Sequence, residues 1–289
     1  MISIIISSYL PRYFAALEKN IAETIGVPYE IIRINNPGLM GICEAYNQGA
    51  EKAQYDYLLF SHEDILFHTQ DWGEKLMAHL DRPDAGIIGL AGSSYVPVAP
   101  SSWTVSEKYN SVNILQGNKE NESSYLIRRT KSRMNPVYAV DGVFMAIRKN
   151  NFIPYKFDEE LKGFHGYDLD LSLRISKKLQ NYVVDDILIE HFSKGNLDKT
   201  WLDTNIGIRQ KLGSDFQKEI DNETEKNIFL GFLYKYFEYY PVNRKNILFT
   251  LKFYPFKYLS FKQNILILKR YFNYIRYASG INKKLNTNV

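Results

Sequence analysis

The chain has 289 residues, 45% hydrophobic, 15% aromatic and 24% charged, enough for about two domains and for a core that folds without disulfides. Its one cysteine, Cys43, excludes a disulfide framework and a cysteine-built zinc cluster, and its five histidines (62, 68, 79, 165 and 191) lack the tight paired spacing of a zinc hydrolase. The net charge of +4 hides an asymmetry: residues 226–289 hold twelve Lys/Arg against one acidic residue, Glu238, and the preceding residues hold 24 basic against 31 acidic.

The opening MISIIISSYL has no basic start and no small-residue cleavage site. It reads as a strand over 2–7 rather than a signal peptide, which predicts a cytoplasmic chain. No apolar run reaches eighteen residues, so no membrane-spanning helix is expected. Apolar positions 14, 17, 21 and 25 predict a helix over 12–25. A second strand over 29–34 stops at Asn35-Asn36-Pro37-Gly38. A helix over 42–53, a strand over 57–61 running into His62-Glu63-Asp64, a helix over 72–80 and a strand over 86–91 follow. This alternation predicts an α/β fold with a mostly parallel central sheet and flanking helices. Residues 93–136 lose the pattern and read as a lid, a binding loop or a partly disordered segment. Strand-like residues 137–148, a helix over 168–180 and a strand over 182–190 complete the acidic part.

Ligands of open α/β sheets collect beyond the carboxyl ends of the strands. Those ends carry Ser7-Ser8-Tyr9, Asn35-Asn36 and Glu63-Asp64. An acidic pair at a strand end suits Mg²⁺ or Mn²⁺; it equally suits a solvated cap. Asp168 opens a helix whose buried stripe is Leu171, Ile175 and Leu179. The helix dipole there favours an ionised carboxylate, as a general base requires, and N-capping is the plainer use. Asp170 and Arg174 have the spacing of an i,i+4 ion pair. His191 ends a strand, where it serves either as a phosphate or metal contact or as an ordinary polar residue; His62 and His165 are equally ambiguous, and His68 and His79 are expected at the surface. Asp141-Gly142 reads as a turn or an acceptor contact. There is no GxGxxG and no Walker lysine.

In KQNILILKRYFNYIRYA, Ile265, Leu268, Phe272 and Ile275 share one helical face, with Lys262, Lys269 and Arg276 on the other and Arg270 nearby. A basic amphipathic helix suits a membrane surface; packing on the catalytic domain or in a homodimer also accounts for it. No recognition motif points to nucleic acid. The composition shift near DNETEK predicts a domain over 1–221 and a basic aromatic helical extension over 222–289.

Taken in order, these segments resemble a bacterial family 2-type glycosyltransferase of the GT-A fold. ISIIISSY is similar to that family's first strand, YEIIRINNPG to its second strand and turn, and AYNQGAEKAQYDYLLFSHEDI to the stretch ending in the metal-binding DxD, here H-x-D. VYAVDGVFMAIRK resembles the segment under the acceptor, FDEELKGFHGYDLDLSLR the one holding the base, and LIEHFSKG with Trp201 the closing His segment. The resemblance covers roughly residues 1–205. It implies an inverting, metal-assisted transfer from a UDP-type nucleotide sugar to a bacterial surface glycan or lipid-linked glycan. Asp64 and His191 would hold the divalent metal, Mn²⁺ or Mg²⁺, and Asp168 would be the base. Ser7, Tyr9, Asn35, Glu63, Asp64 and Asp141 would bind the nucleotide sugar. His62 stands where the family has an acidic residue, which leaves the metal fewer carboxylates. The other readings are a catalytically degraded nucleotide-sugar-binding or membrane-associated partner protein of the same fold, and a nucleotidyltransferase. The latter would show a Gly-rich basic loop where this chain has SSYLPRY.

Overall fold

A computed structural model describes residues 1–117, 123–193, 195–217 and 219–287. The chain divides into two compact units, one comprising Met1–Tyr95 and Glu107–Asn196, the other Val96–Ser106 and Leu197–Val289.

The first unit begins with β1 (Ile2–Ser8), α1 (Pro11–Thr24), β2 (Tyr29–Asn35), α2 (Ile42–Lys52) and β3 (Tyr57–Ser61). There follow β4 (Ile65–Phe67), α3 (Trp72–Leu80), β5 (Ala85–Gly89), β6 (Ala91–Ser93), β7 (Asn110–Gln116) and β8 (Tyr125–Arg129). It ends with β9 (Met134–Val137), β10 (Ala139–Val140), β11 (Phe144–Arg148), α4 (Lys149–Phe152), α5 (Tyr167–Ser176), β12 (Gln180–Val184) and β13 (Ile189–His191). Isoleucines at 2, 4, 5 and 6 are fully buried, as a β-branched run covered on both faces should be. Pro11 starts α1, where its missing N–H costs nothing, and Phe14, Leu17 and Ile21 of α1 are buried at helical spacing.

The main sheet has the order β2-β1-β3-β11-β5-β12-β9. β2, β1, β3, β5 and β12 run in one direction, and β11 and β9 oppose them. The sheet is thus mostly parallel, with helices flanking it. The register pairs Ser8 with Asn35 and Ile6 with Ser61, so the carboxyl ends of β1, β2 and β3 lie along one edge. A second sheet, β10-β6-β7-β13-β4 with β8 on β7, aligns His191 of β13 with Ile65 of β4 and with Gln116 of β7.

The segment expected to be irregular, 93–136, is largely ordered among its described residues: it supplies β7, β8 and β9, and only 118–122 lie outside the description. Two buried asparagines hide this order. Asn113 in β7 donates to Asp185 O and Ile187 O and accepts from Arg128 Nε. Asn135 in β9 donates to Ser132 O and Val183 O. Polar residues satisfied inside a sheet erase the alternation by which strands are read.

The second unit contains α6 (Lys199–Leu212), α7 (Asn222–Tyr239), α8 (Arg244–Leu251), a 3₁₀ turn at Phe256–Tyr258, α9 (Phe261–Arg276) and α10 (Ala278–Thr287). Its core joins Ala99, Leu202 and Ile206 to Phe229, Phe232, Leu233, Ile267 and Tyr271. The expected division at 221/222 falls inside this unit. Asp221 is the N-cap of α7, accepting from Glu223 N and Thr224 N, and the unit's contiguous part starts at Leu197. The composition shift therefore marks a helix start within a unit that also takes in 96–106. Among the described residues no helix is long and apolar enough to cross a membrane.

Candidate active site

The end of β3 delivers His62, Glu63 and Asp64. In the bend that follows, His62 and Asp64 come together, while Glu63 turns away to the amides of Tyr9 and Leu10. β13 pairs antiparallel with β4, and Phe192 N donates to Asp64 O at 3.1 Å. This pairing carries His191 to the same place. Asp64 Oδ1 lies 3.9 Å from His62 Nδ1 and 3.7 Å from His191 Nε2. One ligand atom from each of the three residues falls within 4.8 Å of the others. Asp64 is only 9% exposed, so its charge is partly desolvated and open to compensation by a cation. The carboxylate suits Mg²⁺ or Mn²⁺ and the two imidazoles favour a transition metal, so of those two cations the set fits Mn²⁺ better. In the tautomer that leaves Nδ1 free for a cation, His62 Nε2–H donates to the hydroxyl of Tyr167, 2.8 Å away. A second hydrogen bond of that kind fixes a ligand's orientation. His191 Nε2 has the Ser193 hydroxyl at 2.9 Å, and Gln116 Nε2 holds the loop by donating to the carbonyls of His191 and Ser193.

Tyr167 leads from this cluster to Asp168. α5 begins after Gly166, whose φ of 75° lies in the left-handed region glycine tolerates. The Asp168 carboxylate accepts from Gly142 N at 3.1 Å and is also held by the amides of the first helical turn. Asp141 Oδ1 accepts from Val143 N at 2.7 Å, which shapes the turn into β11 and aims Gly142 N at Asp168. Burial above all, and then the charge of Asp141, push the Asp168 carboxyl up to about 7, against the pull of the surrounding amides. A carboxyl poised there exchanges a proton near neutral pH. Tyr46 is buried against Phe60, Phe157 and Tyr167. Burial, then Asp64 and then Asp168, raise its hydroxyl, so both carboxylates lie within electrostatic reach of one group.

The remaining strand-end residues line the loops beside this cluster. Ser7 Oγ accepts from Asn36 Nδ2 at 3.2 Å; Tyr9 is exposed, and Asn35 is exposed at the end of β2. Glu63 turns to the start of α1. Its Oε1 accepts from Tyr9 N at 3.0 Å and Leu10 N at 2.7 Å, pinning the connection from β1 to α1. It stays outside the metal-ligand cluster. Asn36 is buried and organises its turn by accepting from Leu39 N and Met40 N. His79, expected at the surface, is buried and bonded to Asp186 at 2.8 Å. Asp170 pairs with Arg174 at 2.7 Å as its spacing predicts. The sequence does not announce the place of His62 in this cluster, the bridge through Tyr167 or the contact from Ser193. The H-x-D spacing was the one available signal for the first.

The model of the Glycosyltransferase like family matches residues 4–231. The chain belongs to that family. The chain matches no curated protein. Among solved structures, S. aureus TarS 1-349 in complex with UDP is 13% identical, with a TM-score of 0.52 over 82% of this chain and 71% of that one. S. aureus TarS is 13% identical, with a TM-score of 0.53 over 98% of this chain and 53% of that one. GalNAc-T7 with UDP, GalNAc and Mn²⁺ is 12% identical, with a TM-score of 0.51 over 73% of this chain and 47% of that one. The chain thus shares the GT-A fold of these proteins and spans about half the length of TarS and of GalNAc-T7.

Proposed function

We propose that the chain transfers a sugar from a UDP-type nucleotide sugar to a glycan acceptor by one inverting displacement, with Asp168 as the base. The observation that carries this reading is the path from His191 and Asp64 through His62 to Tyr167, whose hydroxyl packs against Gly142, and from the Gly142 amide to the Asp168 carboxylate. A diphosphate-binding corner and a base for the incoming hydroxyl thus adjoin each other. His62, Asp64 and His191 would hold a divalent cation, Mn²⁺ or Mg²⁺, which when bound offsets the negative charge growing on the leaving diphosphate. Ser7, Tyr9 and Asn35 border the strand ends where a nucleoside would lie, and Glu63 keeps the loop bearing Tyr9 in place. Asp141 holds Gly142 N against Asp168 and keeps the base's proton affinity high. The acceptor oxygen forms its bond to the anomeric carbon as the bond from that carbon to the diphosphate oxygen breaks, and the acceptor's proton passes to the Asp168 carboxylate. Attack opposite the leaving group inverts the anomeric centre. The acceptor expected is a bacterial surface glycan or its lipid-linked precursor.

The test is Asp168→Asn. A positioned base contributes about 10²–10⁴-fold, so transfer, followed as UDP release in the presence of acceptor, should fall at least about a hundredfold while UDP affinity stays unchanged. Equal rates for variant and wild type would remove Asp168 from the chemistry.

A further inference from the structure

Helix α9 buries one side and leaves an apolar stripe on another. Ile267 and Tyr271 enter the core of the second unit, and Tyr271 shares a hydrogen bond with Thr250 at 2.9 Å. Phe261, Ile265, Leu268, Phe272 and Ile275 follow one another at helical spacing, roughly a quarter turn or more away from that buried side. Phe261 is 80% exposed, Leu268 58%, Phe272 62% and Ile275 56%. Phe256, in the 3₁₀ turn just before, is exposed as well. Single exposed hydrophobic residues need no explanation, whereas a contiguous stripe marks an interaction surface. Lys262, Lys269 and Arg276, each seven residues from the next, form an exposed row along one flank of the stripe, and residues 239–289 contain no Asp or Glu.

We propose that α9 lies in the plane of an anionic lipid surface, with Phe261, Leu268, Phe272 and Ile275 entering the acyl boundary and Lys262, Lys269 and Arg276 meeting the headgroup phosphates. An apolar stripe with a basic flank is the pattern by which in-plane helices bind anionic membranes. Charge decides against a second copy as the occupant. A symmetric pair through this face would bring basic rows together without a carboxylate from 239–289 to offset them. This inference stands on α9 alone and is independent of the transfer chemistry.

The experiment is co-sedimentation of the full chain with vesicles of phosphatidylcholine alone and of phosphatidylcholine mixed with phosphatidylglycerol. Wild type should pellet with the mixed vesicles and stay in solution with the neutral ones. The exposed triple variant Phe261→Ser/Leu268→Ser/Phe272→Ser should lose binding. Lys262→Gln/Lys269→Gln/Arg276→Gln should lower the partition coefficient by about a hundredfold, as expected for three basic side chains near the surface. The second variant leaves the apolar residues in place, so it tests the proposal even if the first folds poorly. Equal pelleting of wild type and the basic-row variant, or no pelleting of wild type with the mixed vesicles, would overturn the proposal. So would a wild-type dimer that Phe272→Ser converts to monomer without any vesicle binding.

Discussion

Asp168, the proposed base, is set by a balance of opposing effects at one carboxyl. Burial and the charge of Asp141 favour the protonated form, and the amides of Gly142, Leu169 and Asp168 itself favour the ionised one. The outcome, about 7, makes the fraction of active base rise with pH through neutrality. Transfer should therefore increase tenfold per pH unit below about 7 and level above it. Asp141→Asn removes the neighbouring charge and should move the midpoint to lower pH, read from kcat/KM against pH; an unmoved midpoint would detach Asp141 from Asp168. The same proton links to stability. The folded value lies above that of an unfolded carboxyl, so this group's stabilising contribution is complete below about pH 4 and is lost as pH rises through about 7. Thermal unfolding of Asp168→Asn should gain on wild type at pH 8 relative to pH 4. At the element ends, Glu63 shows what a strand-end acidic pair conceals: its neighbour faces the histidines, while Glu63 itself anchors the start of α1.

Between elements, the turn from β10 to β11 and the start of α5 are fitted to one another through Gly142. A Cβ placed there would lie 2.0 Å from the Tyr167 hydroxyl and 2.4 Å from its ring carbon, so the close approach requires glycine. Gly142→Ala should displace Tyr167 from His62 and move the amide that contacts Asp168. Second-contact losses of this kind cost about 10–100-fold in metal affinity, and this variant should lose that much Mn²⁺-dependent UDP affinity while keeping its fold, checked by calorimetry and circular dichroism. Full affinity would show that the turn does not set the site. At this scale the sequence was most legible where side chains are uniformly apolar. β1, β2 and β3 and helices α1, α2 and α3 lie within one or two residues of their expected bounds, because β-branched runs and helical spacing need no distant partner. β7 and β8 were not legible, since buried Asn113 is satisfied by Arg128 and by carbonyls more than seventy residues away. His79 was misjudged for the same reason: its partner, Asp186, lies 107 residues on.

At the scale of the molecule, the acidic part and the basic part correspond only loosely to the two units. Residues 96–106 join the second unit: Ala99 enters its core, and Val98 N donates to buried Glu225 at 3.0 Å. No local pattern announces that such a segment packs against helices a hundred residues later. The site was legible as a set of strand-end residues in the right order, because an α/β sheet forces its carboxyl ends to one edge. Its closure by His191 of β13 came from the family resemblance alone, because it depends on a pairing with β4 across more than 120 residues. The central claim is that His62, Asp64 and His191 together hold the cation that a nucleoside diphosphate meets. Anomalous diffraction from crystals soaked with Mn²⁺ and UDP tests it most directly. The account predicts one manganese peak within bonding distance of all three side chains, contacting the diphosphate; a peak elsewhere, or UDP bound away from these residues with no manganese among them, would contradict it.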